Sequence, residues 1–218
     1  RGTVADNYFG TSVADPYRWL EDLNSAQTVA WIRVQNQFTN SYLAQFPLRD
    51  SLRNRLTELF DYPRVTLPEM TGGKRLFYRR NTGLQNQGVL YMRDGVTGAP
   101  VTVLDPNSLS VDGSIAFEDW APSPDGRYLA YALAKGGSDW HTVHIRDLGT
   151  MQDFADSLEW VRFSAMSWTL DGRGFFYSRY PEPPTGHALS AALSGHTVYY
   201  HRVGTPQSQD QLILGGGD

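Results

Sequence analysis

The segment Trp120-Ala-Pro-Ser-Pro-Asp-Gly-Arg-Tyr-Leu-Ala-Tyr131 returns in weaker form as Ser167-Trp-Thr-Leu-Asp-Gly-Arg-Gly-Phe-Phe-Tyr177. A fainter copy is Met70-Thr-Gly-Gly-Lys-Arg-Leu-Phe-Tyr78. Each copy is a turn that feeds an apolar, aromatic strand. Asp-Gly predicts a tight primed hairpin turn, because glycine takes the positive φ that such a turn requires. The glycines stand at 73, 126 and 172, which gives spacings of 53 and 46 residues. Four short strands recurring every roughly 40–50 residues mark a β-propeller blade. Asp-Gly turns also punctuate β-sandwiches, so the repeat alone leaves that fold open.

Ahead of the repeats the pattern is helical. Residues 1–20 are irregular, and Asn24 or Ser25 can serve as an N-cap by accepting an orphan backbone N–H. Trp31, Val34, Phe38 and Tyr42 then recur at helical spacing, with Ile32 and Leu43 beside them. After Pro47, a second stripe gathers Leu48, Leu52, Leu56, Leu59 and Phe60. Both stripes are expected to pack into a core. From about Gly72 short strands take over: Leu76–Tyr78, Val89–Met92, Val101–Leu104, Tyr128–Leu133, Thr142–Ile145, Phe175–Tyr177 and Thr197–Tyr200. The boundary is placed near residue 70, with a helical segment over 1–70 and a β segment over 71–218. The latter is long enough for about three blades. Propellers close with roughly four to eight. The chain also starts at Arg1 and stops at Gly215-Gly-Gly-Asp218 just after an apolar strand, so both ends are expected to continue in a longer protein.

Charge and residue usage narrow the chemistry. A net charge of −4 and a pI near 5.7 argue against a nucleic-acid or anionic-membrane partner. The chain has no cysteine, which removes disulfides, thiolate metal sites and a cysteine nucleophile. No window reaches the ~18 apolar residues of a membrane span, and mean hydropathy is −0.42. The expectation is a soluble protein, with cytoplasmic and periplasmic or secreted locations both open. His141 and His144 are three apart in a predicted strand, where odd spacing sends side chains to opposite faces. His196 and His201, five apart, meet the same obstacle. No metal site and no cofactor are expected. Ser138, Asp139 and His141 look like a catalytic triad but are too close together, since triad members converge from separate segments. No Gly-x-Ser-x-Gly elbow, Walker sequence or Gly-x-Gly-x-x-Gly is present. No catalytic residue is assigned.

Six blocks then carry a family resemblance: Asp15-Pro-Tyr-Arg-Trp-Leu-Glu-Asp22, Asn81-Thr-Gly-Leu-Gln-Asn-Gln87, Leu104-Asp-Pro-Asn107, Gly137-Ser-Asp-Trp140, Val161-Arg-Phe-Ser164 and Tyr199-Tyr-His-Arg-Val-Gly-Thr205. In this order the chain resembles the prolyl oligopeptidases. The resemblance implies a serine peptidase that cleaves short peptides after proline, with a seven-bladed propeller covering the active site of an α/β-hydrolase domain. By that mapping residues 1–70 are the N-terminal helical segment of the hydrolase domain, and residues 71–218 the first three or so blades. The family's Ser, Asp and His lie in a later hydrolase segment, so the 218-residue chain alone is expected to be inactive. The implied partners are proline-containing peptides and the remaining blades and hydrolase domain of the same protein, monomeric when complete.

Two residues match family positions that face the active-site cavity. Phe163 matches an aromatic that lines the pocket for a residue upstream of the substrate proline, and Asp139 matches an acidic group facing the interdomain cavity. Packing offers a plainer alternative for each. Phe163 could be blade core beside Val161 and Met166, and Asp139 a turn residue bonding its own backbone. For the whole chain, the alternatives are a non-catalytic propeller module that binds peptides or partners, and a peptidase relative without a triad.

Overall fold

The computed structural model describes residues 1–71, 74–186, 188 and 193–215. The chain divides into two compact units, Arg1–Leu59 and Phe60–Asp218. The first opens with a hairpin of β1 (Ala5–Tyr8) and β2 (Thr11–Ala14). Arg18 braces it by pairing with Asp6 and, at 2.6 Å, with Asp15. Helix α1 (Ala26–Ala44) is capped by Ser25, whose hydroxyl accepts from Thr28 N, and α2 (Arg49–Phe60) follows. Trp19 meets Trp31 edge-on at 6.3 Å, and Thr28 is buried with its hydroxyl on the Trp19 carbonyl.

The apolar stripes are not core, contrary to the sequence expectation. Phe38 is 71% exposed and Tyr42 70%, and Leu52, Leu56, Leu59 and Phe60 are exposed as well. A helix stripe is buried only by another layer. A hairpin and two helices within about 60 residues provide too little surface to cover both stripes.

The second unit is built on strands, with two short 3-10 turns at Pro106–Ser108 and Gln207–Gln209. Both β3 (Arg64–Val65) and β4 (Glu69–Met70) pair with the same edge of β5 (Arg75–Asn81), which continues antiparallel through β6 (Val89–Asp94) to β7 (Val101–Leu104). A second meander runs β8 (Ile115–Pro122), β9 (Tyr128–Lys135), β10 (His141–Asp147) and β11 (Gln152–Val161). A third runs β12 (Ser167–Trp168), β13 (Gly174–Arg179), β14 (Thr197–Arg202) and β15 (Gln211–Leu214). The last two join through a single residue pair, Val161 with Arg179. The β unit therefore starts about ten residues before residue 70, because β3 and β4 are drawn onto β5.

The repeat turns differ from a primed hairpin. Gly126 N donates to the Ser123 carbonyl at 2.8 Å and Gly172 N to the Thr169 carbonyl at 3.0 Å. Each glycine thus closes the turn, with φ +71° and +66°, while the two residues before it keep negative φ. That is a four-residue loop, Pro124–Arg127 and Leu170–Arg173, built on a type I turn with glycine in the left-handed position. In the first copy Lys74 fills that role, with φ +63° and its N–H on the Thr71 carbonyl. Gly73 lies outside the described residues.

Alternation along the strands fills two cores. Phe77, Leu90, Met92, Val103, Phe117, Leu129 and Tyr131 pack between the first and second meanders. Ala130, Ala132, Val143, Ile145, Leu158, Phe175 and Tyr177 pack between the second and third. Burying each large side chain contributes about 1.5–3 kcal/mol.

The third meander also encloses His201, which is fully buried. Its Nδ1 lies 2.7 Å from Asp210 and its Nε2 3.0 Å from Asp156. Tyr177 also donates to Asp210, and Gly204 N to Asp156. Burial opposes a charge on the ring, but the hydrogen bonds to Asp210 and Asp156 outweigh it and hold the imidazole above its ordinary pKa. Both nitrogens can donate only in the imidazolium. With the folded value raised, this contribution to stability is complete below about pH 6.5 and is lost as pH climbs through the folded value. Denaturant melts at stepped pH should show stability falling as pH rises above about 6.5, and His201→Gln should abolish that slope; a slope that survives the substitution contradicts the assignment.

Candidate functional site

The end of β11 carries a bulge. Val143 faces Leu158 while His141 faces Val161, so β11 holds one residue more than β10 over this stretch. Trp160 sits in the bulge with φ +60°, and Phe163 follows just past the strand with φ +53°. Left-handed backbone is rare for bulky residues and costs about 1–3 kcal/mol each. A bulge bends its strand and re-aims the side chains that follow. Here it turns Val161 into the second core, where Met166 also packs, while the Phe163 ring, past the strand end on left-handed backbone, lies outside it, 67% exposed. Phe163 is not blade core.

The ring lies against a cation. Arg162 has its guanidinium carbon 4.8 Å from the Phe163 ring centroid and 5.5 Å from that of Trp140. Its Nη2 donates to the Asp139 carboxylate. The Arg162 side chain is 19% exposed and that of Asp139 61%. Asp139 therefore does not cap its own turn; Ser138 does, its hydroxyl accepting from Trp140 N at 3.0 Å. Trp140 meets Trp160 and Tyr180 edge-on and donates its indole N–H to the Ala188 carbonyl at 2.6 Å. It also lines a 550 Å³ cleft with Leu133, Thr142, His144 and Trp160. Burial holds His144 below its ordinary pKa, so the cleft presents a neutral imidazole at pH 7.

The other sequence candidates disperse. Ser138, Asp139 and His141 do not act together: Ser138 caps a turn, Asp139 pairs with Arg162, and His141 Nδ1 is buried with no partner among the described residues. His144 faces Tyr131 and His196 stacks on Tyr180 at 4.4 Å, whereas His187 lies outside the described residues. His201 has a carboxylate on each nitrogen and no exposure, which leaves it no free nitrogen to activate a nucleophile. Among the described residues no group of three or more His, Asp or Glu is placed to hold a metal ion, and no helix is long and apolar enough to cross a membrane. Arg162 was passed over in the sequence because its ties to Asp139, 23 residues away, and to Trp140 arise only from the fold.

The family profile described as prolyl oligopeptidase, N-terminal beta-propeller domain, matches residues 1–218. The chain belongs to the prolyl oligopeptidase family, as its N-terminal β-propeller domain. Among individual relatives, it is 43% identical over 211 residues to a prolyl endopeptidase of Elizabethkingia meningoseptica, which covers 97% of this chain and 30% of that protein. It is 34% identical to prolyl oligopeptidase A of Amanita bisporigera, over 92% of this chain and 29% of that one. A structure from a mechanistic study of two prolyl endopeptidases superposes with a TM-score of 0.85 at 33% identity, covering 98% of this chain and 31% of the other. Prolyl oligopeptidase B of Galerina marginata, bound to a 25-residue macrocyclization substrate, gives 0.80 at 28% identity, covering all of this chain and 33% of that one. The chain thus spans about a third of the length of these relatives.

The exposed ring and its buried neighbours should separate in stability. Phe163→Ala should lower unfolding free energy by no more than about 1 kcal/mol, the scale of one cation–π contact at the surface. Met166→Ala, buried in the second core, should cost about 2–4 kcal/mol. Equal losses in paired urea melts would place Phe163 in the core after all.

Proposed function

We propose that this chain is the N-terminal portion of a serine endopeptidase that cleaves short peptides on the carboxyl side of proline, with the propeller controlling access to the active site. The observation that carries this reading is Phe163: a bulky ring on strained backbone, 67% exposed beside the Asp139–Arg162 pair, in a chain of the prolyl oligopeptidase family. Strain of this kind persists where the surroundings hold it, and it concentrates at binding sites. Residues 60–218 are read as the first three blades of seven, with Arg64–Met70 part of the first. The preceding segment is read as the N-terminal part of the α/β-hydrolase domain, whose remainder would cover the apolar stripes of α1 and α2. The peptidase is read as working as a monomer, without metal or cofactor.

The chemical step is assigned to a serine, histidine and aspartate outside residues 1–218. The serine attacks the proline carbonyl carbon, the histidine takes the serine proton and gives it to the departing amine, water then hydrolyses the acyl-enzyme, and the aspartate orients the histidine. The residues in this chain bind rather than react. The Phe163 ring can bury an apolar side chain upstream of the proline. At about 25 cal/mol per Å² such a contact supplies on the order of 1–2 kcal/mol. A contact made equally in ground and transition states appears in KM and not in kcat.

Two outcomes follow. Purified alone, the 218-residue chain should release no product from a chromogenic proline peptide; turnover blocked by a serine-directed inhibitor would refute the division of labour. In the complete peptidase, Phe163→Ala should lower kcat/KM about ten-fold through KM. The loss should be greater for a substrate with an apolar group upstream of proline than for one with a small group. Equal kinetics on such a pair would remove Phe163 from the binding site.

A further inference from the structure

The Arg162 guanidinium does more than neutralise a surface carboxylate. It lies over two aromatic rings, Trp140 at 5.5 Å and Phe163 at 4.8 Å, with Nη2 on Asp139. Its Nε is buried and has no hydrogen-bond partner among the described residues. An unpaired buried N–H is unfavourable, so hydrogen bonding alone does not set this rotamer. The aromatic contacts account for it. A planar guanidinium stacks on ring faces as a compact ammonium does not.

The contacts also place the two exposed groups relative to fixed ones. Trp140 is held by its indole bond to the Ala188 carbonyl and by edge-on contacts with Trp160 and Tyr180. Arg162 is anchored on that ring and carries the anchorage outward, to Phe163 through stacking and to Asp139 through the ion pair. The Phe163 ring, two-thirds exposed, rests on this guanidinium, and its backbone is left-handed. A freely rotating exposed ring loses entropy when a ligand fixes it, and holding it in place beforehand removes that cost.

We propose that Arg162 is a positioning residue, which holds the Phe163 ring and the Asp139 carboxylate in one orientation for the peptide segment upstream of the cleaved bond. This rests on the reading of Phe163 as a substrate contact, and it adds a residue with no direct contact to the peptide. It also divides Arg162's two roles. Lysine at 162 retains the charge for Asp139 but not the flat face for Phe163, whereas glutamine retains neither.

The test is a double-mutant cycle in the complete peptidase, read as KM and kcat on a proline peptide with an apolar upstream residue. Arg162→Gln should raise KM about five-fold, the scale of a partly desolvated cation–π contact, and leave kcat within about two-fold. Added to Phe163→Ala it should raise KM little further, because the ring it positions is gone; a merely structural role would add in full. Arg162→Lys should fold as the parent does and fall between the two. If Phe163→Ala raises KM and neither Arg162 variant does, or if the two effects multiply, the positioning role is overturned while the Phe163 contact stands. If Phe163→Ala leaves KM unchanged, the substrate reading itself fails and the positioning role fails with it. Should Arg162→Gln fold poorly, the Arg162→Lys cycle decides by the same criteria.

Discussion

The second meander is covered on both faces, and the rest of the β unit depends on that. Along β9 the side chains of Leu129 and Tyr131 enter one core and those of Ala130 and Ala132 the other. A strand with no solvent face cannot slip by one residue without exchanging its large and small sides. Register in the middle sheet therefore fixes the sheets before and after it. Side chains then stitch the stack where strands no longer pair. Gln87 donates to the Ile115 carbonyl at 2.7 Å and accepts from Phe117 N at 2.8 Å, so it behaves as an extra strand partner for β8. Trp168 donates to the Ala121 carbonyl and Arg146 to that of Val103. These bonds satisfy backbone groups that would otherwise be left open near the cores.

Order in the stack makes room for disorder of a useful kind at its margin. The bulge at Trp160 and the left-handed Phe163 stand where β11 leaves its sheet, next to the single pair that links it to β13. Alternation counted on from Val161 would have packed Phe163. The extra residue moves the inward set from Asp156 and Leu158 to Val161, and the left-handed backbone at Phe163, past the strand end, carries its ring outward. Strain of about 1–3 kcal/mol at each left-handed residue is small against two cores in which single side chains contribute about as much. The site is thus a local departure held in place by the regularity beneath it.

Much of this was legible in the chain. Period-two runs located most of the strands, and the Asp-Gly repeats located the turns that start β9 and β13, because glycine at 126 and 172 does take positive φ. The faint third copy misled by one residue, since Lys74 and not a glycine closes that turn among the described residues. The helical stripes were legible as stripes, but their burial was not, because amphipathicity states that a face wants cover and not what covers it. Four of the recognised blocks prove to contain scaffold contacts: Gln87 with Asn107, Arg18 with Asp15, and His201 with Asp156. The candidate site was half legible. Phe163 and Asp139 stood in recognisable motifs. Their exposure, the left-handed backbone at Phe163 and the Arg162 link are consequences of folding, and no local spacing encodes them.

The most direct measurement is a crystal structure of the complete peptidase with a substrate-like proline peptide that carries an apolar side chain upstream of the proline. The expected result is that side chain in van der Waals contact with the Phe163 ring, at about 4 Å, with Arg162 still over the Phe163 and Trp140 rings and its Nη2 on Asp139. A peptide bound elsewhere, with Phe163 covered by the protein's own residues, would contradict it.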